Sequence, residues 1–317
     1  MQIFRVLFAI VFVTFSLAIV IAWTPDIAPE DLREKYAYGA STFVELPSGA
    51  TAHFRDEGDK NAAPIVLLHG SNSSLHTWEA WVSDLKADYR IITVDLPGHG
   101  LTGPTPAGMY GYKGMSNFVH EFVQTLGLQN FVLGGNSMGG GISLYFTQKY
   151  PEFVNSLILV DASGAKLPVK EEAKTDPPLA FRLAGRWYTD WIIGNITPRS
   201  LSAEGLKKTF TNHAVIDDKM IDRYWELVRY PGNREATGKR FAGYRADRTE
   251  IDLSTINVPS LIIWGEDDNL IPVEAGRVMD REIKNSELVV FKNAGHIPME
   301  EIPEKTLEAV RTFLKKR

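Results

Sequence analysis

A run of strand-like apolar segments, each followed by a helical stretch, limits the fold more than any other feature of this sequence. "PIVLLHG" leads into "TWEAWVSDLK", "RIITVDLPGHG" into "MSNFVHEFVQTLGL" and "NFVLGG" into "SMGGGISLYFTQKYP", and "SLILVDASG" closes the series. Within each segment the apolar residues are consecutive rather than alternating, so a strand built from it needs cover on both faces. Helices returning between strands supply that cover. The pattern therefore predicts an α/β chain with a mostly parallel central sheet flanked by helices. Ahead of the series, "TFVEL" and "TAHFRDEG" around "PSGA" predict two strands joined by a tight turn.

The alternation stops near residue 162. From 163 to 250 the sequence is helix-like and aromatic, with Trp187, Tyr188, Trp191, Trp225 and Tyr230 set among Arg and Lys residues. "VPSLIIWGEDD", "PVEAGRVMDREI", "SELVVFKNAGH" and "PEKTLEAVRTFLKKR" then restore the strand–helix rhythm over 251–317. The simplest account is one sheet in two parts, 42–162 and 251–317, interrupted by a helical insertion over 163–250. Aromatics on short helices ordinarily face a core, and an insertion of this kind also predicts an apolar cap over the strand ends.

The first 23 residues read differently. "VLFAIVFVTFSLAIVIAWTP" carries no charge, and twenty helical residues at ~1.5 Å each would cross the ~30 Å hydrocarbon core of a bilayer. Arg5 precedes the run and Asp26, Glu30 and Asp31 follow it, which predicts a transmembrane anchor with the rest of the chain on the extracytoplasmic side. The rival is a cleaved signal peptide ending near "VIA", which would leave the protein secreted or periplasmic. Residues 24–41 then read as a polar linker. A net charge of -5 gives no field to attract nucleic acid, and the absence of cysteine excludes disulfides and thiolate chemistry. Oligomeric state has no signature in the sequence.

At residues 134–141 the chain reads "GGNSMGGG", where a predicted strand hands over to a helix. Gly135, Ser137 and Gly139 form G-x-S-x-G, a turn so sharp that the backbones of strand and helix nearly touch, holding the serine hydroxyl up in a strained conformation. A serine hydroxyl needs a base to take its proton and a carboxylate to orient that base. "WGEDDNLIP" offers Asp267 and Asp268 after one later strand, and "NAGHIPMEE" offers His296 after the next. Parallel strands bring their carboxyl ends to one edge of the sheet, so these residues should converge. Asp161, also at a strand end, is a substitute acid. His69 and His99 read as loop-packing residues, and His53, His76, His120 and His213 as surface or packing residues. No histidine or acidic spacing suggests a metal site.

Taken in order, "LLHGSNSSLHTW", "VDLPGHG", "GNSMGG", "WGEDDNLIP" and "AGHIP" resemble the motifs of the α/β-hydrolase superfamily, over nearly all of the chain from residue 42. The resemblance implies Ser137 as nucleophile, His296 as general base and Asp268, rather than Asp267, as the acid. It further implies an oxyanion hole made by the backbone N–H groups of Ser71 and Met138, no cofactor, and a small-molecule ester as substrate. The expected activity is that of a serine esterase or lipase working through an acyl-enzyme, with medium-chain esters or monoacylglycerols as candidates. Other chemistries on the same fold are carbon–carbon hydrolysis of ring-fission products, with Arg182 or Arg186 holding a substrate carboxylate, cofactor-free haloperoxidase or perhydrolase activity, and ligand reception without catalysis. Ile297 stands where carbon–carbon hydrolases usually carry a Trp.

Overall fold

The computed structural model describes residues 22–167, 179–246 and 249–317, with isolated positions before residue 22. Its centre is a sheet of eight strands: β1 (Ser41–Glu45), β2 (Thr51–Glu57), β3 (Pro64–Leu68), β4 (Arg90–Val94), β5 (Phe131–Asn136), β6 (Val154–Val160), β7 (Ser260–Gly265) and β8 (Ser286–Phe291). They lie in the order β1-β2-β4-β3-β5-β6-β7-β8. The pairs β1/β2 and β2/β4 are antiparallel, and every later pair is parallel, as the consecutive apolar runs predict.

Side chains alternate between the two faces. Val66, Leu68, Ile92, Val94 and Leu133 point into one core with Met115, Phe118, Phe122 and Phe146 from the helices Tyr112–Thr125 and Met138–Lys149. Ile65, Leu67, Ile91, Ile158 and Ile263 point into a second core with Trp78, Trp81 and Phe313. Burying each such side chain contributes ~1.5–3 kcal/mol. This two-sided demand is why the strands read as continuous apolar runs. A consequence for the site follows from the parallel pairing: the carboxyl ends of β3, β5, β6, β7 and β8 share one edge.

Between β6 and β7 the described residues form helices at Leu179–Leu183, Trp187–Asn195, Arg199–Thr209, Asp218–Leu227 and Asn233–Ala246, and no strand. The segment 24–41, which the sequence suggests is a polar linker, is docked on these helices. Thr24 N donates to Asn195 O at 2.9 Å, Ile27 N to Arg229 O at 2.9 Å, and Arg234 Nη2 to Asp26 Oδ1 at 2.6 Å. Pro29–Tyr36 is a helix that buries Leu32 and Tyr36 against Leu101 and Leu227, and Lys35 and Tyr36 both bond Glu226. Polar composition hid this because the partners lie far along the chain. The expected membrane span falls almost entirely outside the described residues. Among the described residues no helix is long and apolar enough to cross a membrane.

Candidate active site

Ser137 sits between β5 and the helix Met138–Lys149 with φ 53° and ψ −116°, a conformation that costs about 1–3 kcal/mol for a residue with a Cβ. Neighbouring glycines make this turn sterically feasible. A Cβ on Gly135 would lie 2.3 Å from the backbone of Gly139, and one on Gly139 would lie 2.2 Å from Leu68 O. Gly134, Gly140 and Gly141 are also pressed against side chains, of Leu67, Ala162 and Ser163. The turn is fastened by Ser137 N donating to Val160 O and by Ser163 N donating to Ser137 O, both at 2.9 Å. Although Ser137 occupies the helix N-cap position, its hydroxyl makes no capping bond. The side chain is thus left for another purpose.

His296 and Asp268 meet as expected. Nδ1–H of His296 donates to Asp268 Oδ2 at 2.6 Å, with both residues buried. The other carboxylate oxygen accepts from Leu270 N at 2.7 Å and Ile271 N at 3.1 Å, so the acid is fixed by its own loop. Asp267 is exposed. Ser137 and His296 line one cavity, together with Ser71, Asn72 and Asn136 on the sheet side and Phe181, Leu201, Leu206, Tyr224 and Val228 on the cap side. Met138 is the first residue of its helix, where N–H groups have no acceptor within the helix.

The substitute acid is close by. Asp161 is fully buried in a left-handed conformation, φ 44°, and its Oδ1 accepts from Gly265 N at 2.9 Å. Ligand atoms of Asp161, Asp268 and His296 all lie within 4.8 Å of one another. Burial, and then repulsion from Asp268, push the Asp161 carboxyl well above the usual carboxylate range, against the opposing Gly265 N–H bond. These three groups are also the one set among the described residues close enough together to hold a metal ion. His296 and Asp268 already share a proton at hydrogen-bond distance, which a cation between them would have to displace.

Several positioning residues escape the sequence motifs. Asn136, the unspecified residue before Ser137, donates from Nδ2 to Val160 O at 3.1 Å and to His296 O at 3.0 Å, tying the serine turn to the histidine loop. Glu301 accepts from Gly295 N at 2.7 Å and from Thr211 N at 2.8 Å. His296 N donates to Thr209 O at 2.7 Å, and a Cβ on Gly295 would lie 2.4 Å from that same oxygen. The histidine loop is therefore clamped to the cap.

His69 and His99 pack as expected. Nδ1 of His69 bonds Gly70 O at 2.7 Å while Nε2 accepts from Leu96 N at 3.0 Å, and burial holds both imidazoles below the usual histidine range. His53 is buried too, bonded to Asp95 Oδ2 at 2.6 Å. The described aromatics singled out in the cap do other work. Trp225 Nε1 donates to Thr197 O at 2.6 Å, Tyr230 packs beside Leu101 and Leu227, and Trp191 is exposed. Side chains of Trp187 and Tyr188 lie outside the described set. Phe181 and Tyr224 are the aromatics that line the cavity.

Known proteins identify the family to which this fold belongs. Residues 63–303 match the model of the alpha/beta hydrolase fold, and the chain belongs to that family. It is 27% identical to Lipase 1 of Psychrobacter immobilis over 85% of this chain and 82% of the relative. It is 28% identical to a 2-hydroxy-6-oxononadienedioate/2-hydroxy-6-oxononatrienedioate hydrolase of Burkholderia vietnamiensis over 90% of this chain and 97% of the relative. Among solved structures it resembles a membrane phospholipase A, a bacterial virulence factor, with a TM-score of 0.74 at 22% identity, covering 98% of each chain. The last likeness bears on the fold.

Proposed function

We propose that this α/β hydrolase cleaves carboxylic esters through an acyl-enzyme, with Ser137 attacking, His296 moving the proton and Asp268 orienting the imidazole. Attack of Ser137 Oγ on the ester carbonyl passes its proton to Nε2 of His296. The tetrahedral intermediate places its negative oxygen toward the N–H groups of Ser71 and Met138, and collapse expels the alcohol, which takes the proton from His296. Water then repeats the sequence and releases the acid. The observation that carries this reading is the buried 2.6 Å bond from His296 to Asp268 at a cavity that also holds Ser137 in its strained turn.

The lining of that cavity favours an ester over a ring-fission dioate. Among the described lining residues His296 is the one with an ionisable group in the histidine, lysine, arginine or carboxylate classes, and the cap contributes Phe181, Leu201, Leu206 and Val228. A dicarboxylate substrate of the kind named for the Burkholderia relative would need cations facing it. Arg182 and Arg186 are exposed and do not line the cavity. A cavity volume of about 120 Å³ is somewhat smaller than an apolar cavity of ~150 Å³ known to take benzene. An acyl group of roughly six carbons fills such a space, and longer chains must extend through its open side. Medium-chain esters and monoacylglycerols remain the substrates this favours. A membrane location belongs to the same reading, supported by the uncharged run before Trp23 and by exposed Trp23 and Trp191, whose rings lie 5.9 Å apart.

The test combines a fluorophosphonate probe with an ester panel graded in acyl length that includes a ring-fission dienoate. Wild type should label and Ser137→Ala should not, with turnover highest for neutral esters of intermediate chain length. No labelling of either protein would favour a ligand receptor, and preference for the dienoate would overturn the ester reading.

A further inference from the structure

The last helix of the cap, Asn233–Ala246, carries a buried cation to the back of the cavity. Arg240 is 1% exposed and does not line the cavity itself. Its Nη2 donates to Ser71 Oγ at 2.5 Å and to Asn72 Oδ1 at 3.4 Å. Its Nη1 donates to Met138 Sδ at 3.5 Å and to His99 Nε2. One guanidinium therefore touches the two residues whose N–H groups are assigned to the oxyanion hole, although Ser71 lies on the loop after β3 and Met138 opens the helix after β5. Thr237, one turn earlier on the same helix, donates to Asn72 Oδ1 at 3.2 Å and seats the same face.

The surroundings are arranged for a guanidinium rather than for any cation. His99 Nδ1 bonds Pro97 O at 2.9 Å, which places its proton there and leaves Nε2 as the lone pair that Arg240 needs. Burial, then the Arg240 charge, push His99 well below the usual histidine range, so it stays an acceptor. Ser71, Met138 and His99 are reached by two nitrogens of one rigid plane. A lysine ammonium, a point charge on a flexible stem, cannot span the same set.

We propose that Arg240 is a positioning residue for the oxyanion hole: it holds Ser71 and Met138 from behind so that their N–H groups converge on the substrate oxygen, and it thereby makes turnover depend on how the cap is seated. This rests on the acyl-enzyme reading of Ser137, Ser71 and Met138. An oxyanion exists in the tetrahedral intermediate and not in the bound ester, so a loosened hole loses rate more than substrate affinity.

The experiment compares wild type, Arg240→Gln, Arg240→Lys, Ser71→Ala and Ser137→Ala. Each is measured for kcat and KM on one medium-chain p-nitrophenyl ester and for affinity toward an alkylboronic acid, which forms a tetrahedral adduct on serine. Arg240→Gln should lower kcat roughly 10- to 100-fold, short of the ~10²–10³ for losing a donor outright, with KM changed less than about threefold. Boronate affinity should fall in parallel with kcat, and Arg240→Lys should recover part of both. Adding Ser71→Ala to Arg240→Gln should cost little more than Arg240→Gln alone, because both remove one contact. Should Arg240→Gln fail to fold, Ser71→Ala breaks the same contact without stranding a polar group in place of the arginine, and kcat unchanged there would overturn the proposal. A folded Arg240→Gln with wild-type kcat, or with KM alone raised, also overturns it. If Ser137→Ala still turns over ester, the acyl-enzyme reading fails as well; if Ser137→Ala is dead and Arg240→Gln is normal, only the role of Arg240 falls.

Discussion

Replacing Asp268 by Asn changes the proton arrangement of the site while leaving its shape. In the native site one carboxylate oxygen accepts from Leu270 N at 2.7 Å and Ile271 N at 3.1 Å, and the other from His296 Nδ1 at 2.6 Å. An asparagine has one acceptor oxygen and one NH2 donor. Two backbone N–H groups demand the oxygen, so the NH2 turns toward His296. Donor then faces donor. The imidazole escapes by adopting the other tautomer, with its proton on the nitrogen that faces Ser137, where it can no longer accept one. Comparable loss of the correct tautomer lowers kcat about 10⁴-fold, equivalent to about 5 kcal/mol of barrier. The assay is kcat on a medium-chain p-nitrophenyl ester, with folding checked by thermal melting and Asp267→Asn as the control. Exposed Asp267 makes no bond to His296, so the control should stay within about twofold of wild type. Turnover by Asp268→Asn within about tenfold of wild type, or an equal loss in the control, would refute the assignment of the acid.

Two further expectations follow from other parts of the molecule. Asp161 holds its proton more tightly folded than unfolded, so it favours the fold below the unfolded carboxylate pKa of ~3.9 and this contribution is lost as pH rises toward the raised folded value. Asp161→Asn removes that term: its Tm relative to wild type should increase from pH 4 to pH 7, and parallel Tm curves for the two proteins would mean that Asp161 is not held neutral. For the N-terminal run, cell fractionation of the full chain should place ester hydrolase activity in the membrane pellet resistant to high salt; a soluble product beginning near Trp23 would instead establish cleavage of a signal peptide.

The sheet and the serine turn were legible for the same reason: each depends on residues adjacent in sequence. A strand covered on both faces must be apolar at successive positions, and the turn around Ser137 needs glycine where backbones approach within a Cβ of each other. Long-range contacts left no such trace. Thr24 meets Asn195 and Asp26 meets Arg234 across more than half of the chain, so a docked segment reads as a linker. His53 gives no sign in "TAHFRDEG" that its ring is buried on Asp95. "GKRFAGYR" looks like an exposed basic helix, yet Arg240 within it is buried. Composition reports that a charge is present; only packing decides which face of its helix turns inward.

The clamps between cap and core bear on how substrate enters. His296 N–H on Thr209 O is a neutral bond, worth ~0.5–1.5 kcal/mol net, while Glu301 on Thr211 N and Arg240 on Ser71 Oγ involve a charged partner and are worth ~1.5–3 kcal/mol each. Swinging the whole cap away would break all three and other bonds besides, among them Tyr224 and Arg223 on Glu300, so these three alone set a cost of about 5 kcal/mol and keep the open fraction below roughly one molecule in several thousand. The same swing would release the backbone of His296 and the side chain of Ser71, dismantling the site it was meant to expose. A lid that moves freely therefore conflicts with these contacts. The cap acts as a wall of the candidate active site, and the strained serine turn, the histidine loop and the loop of Ser71 are fixed relative to one another because each is bonded to the cap, the core or both.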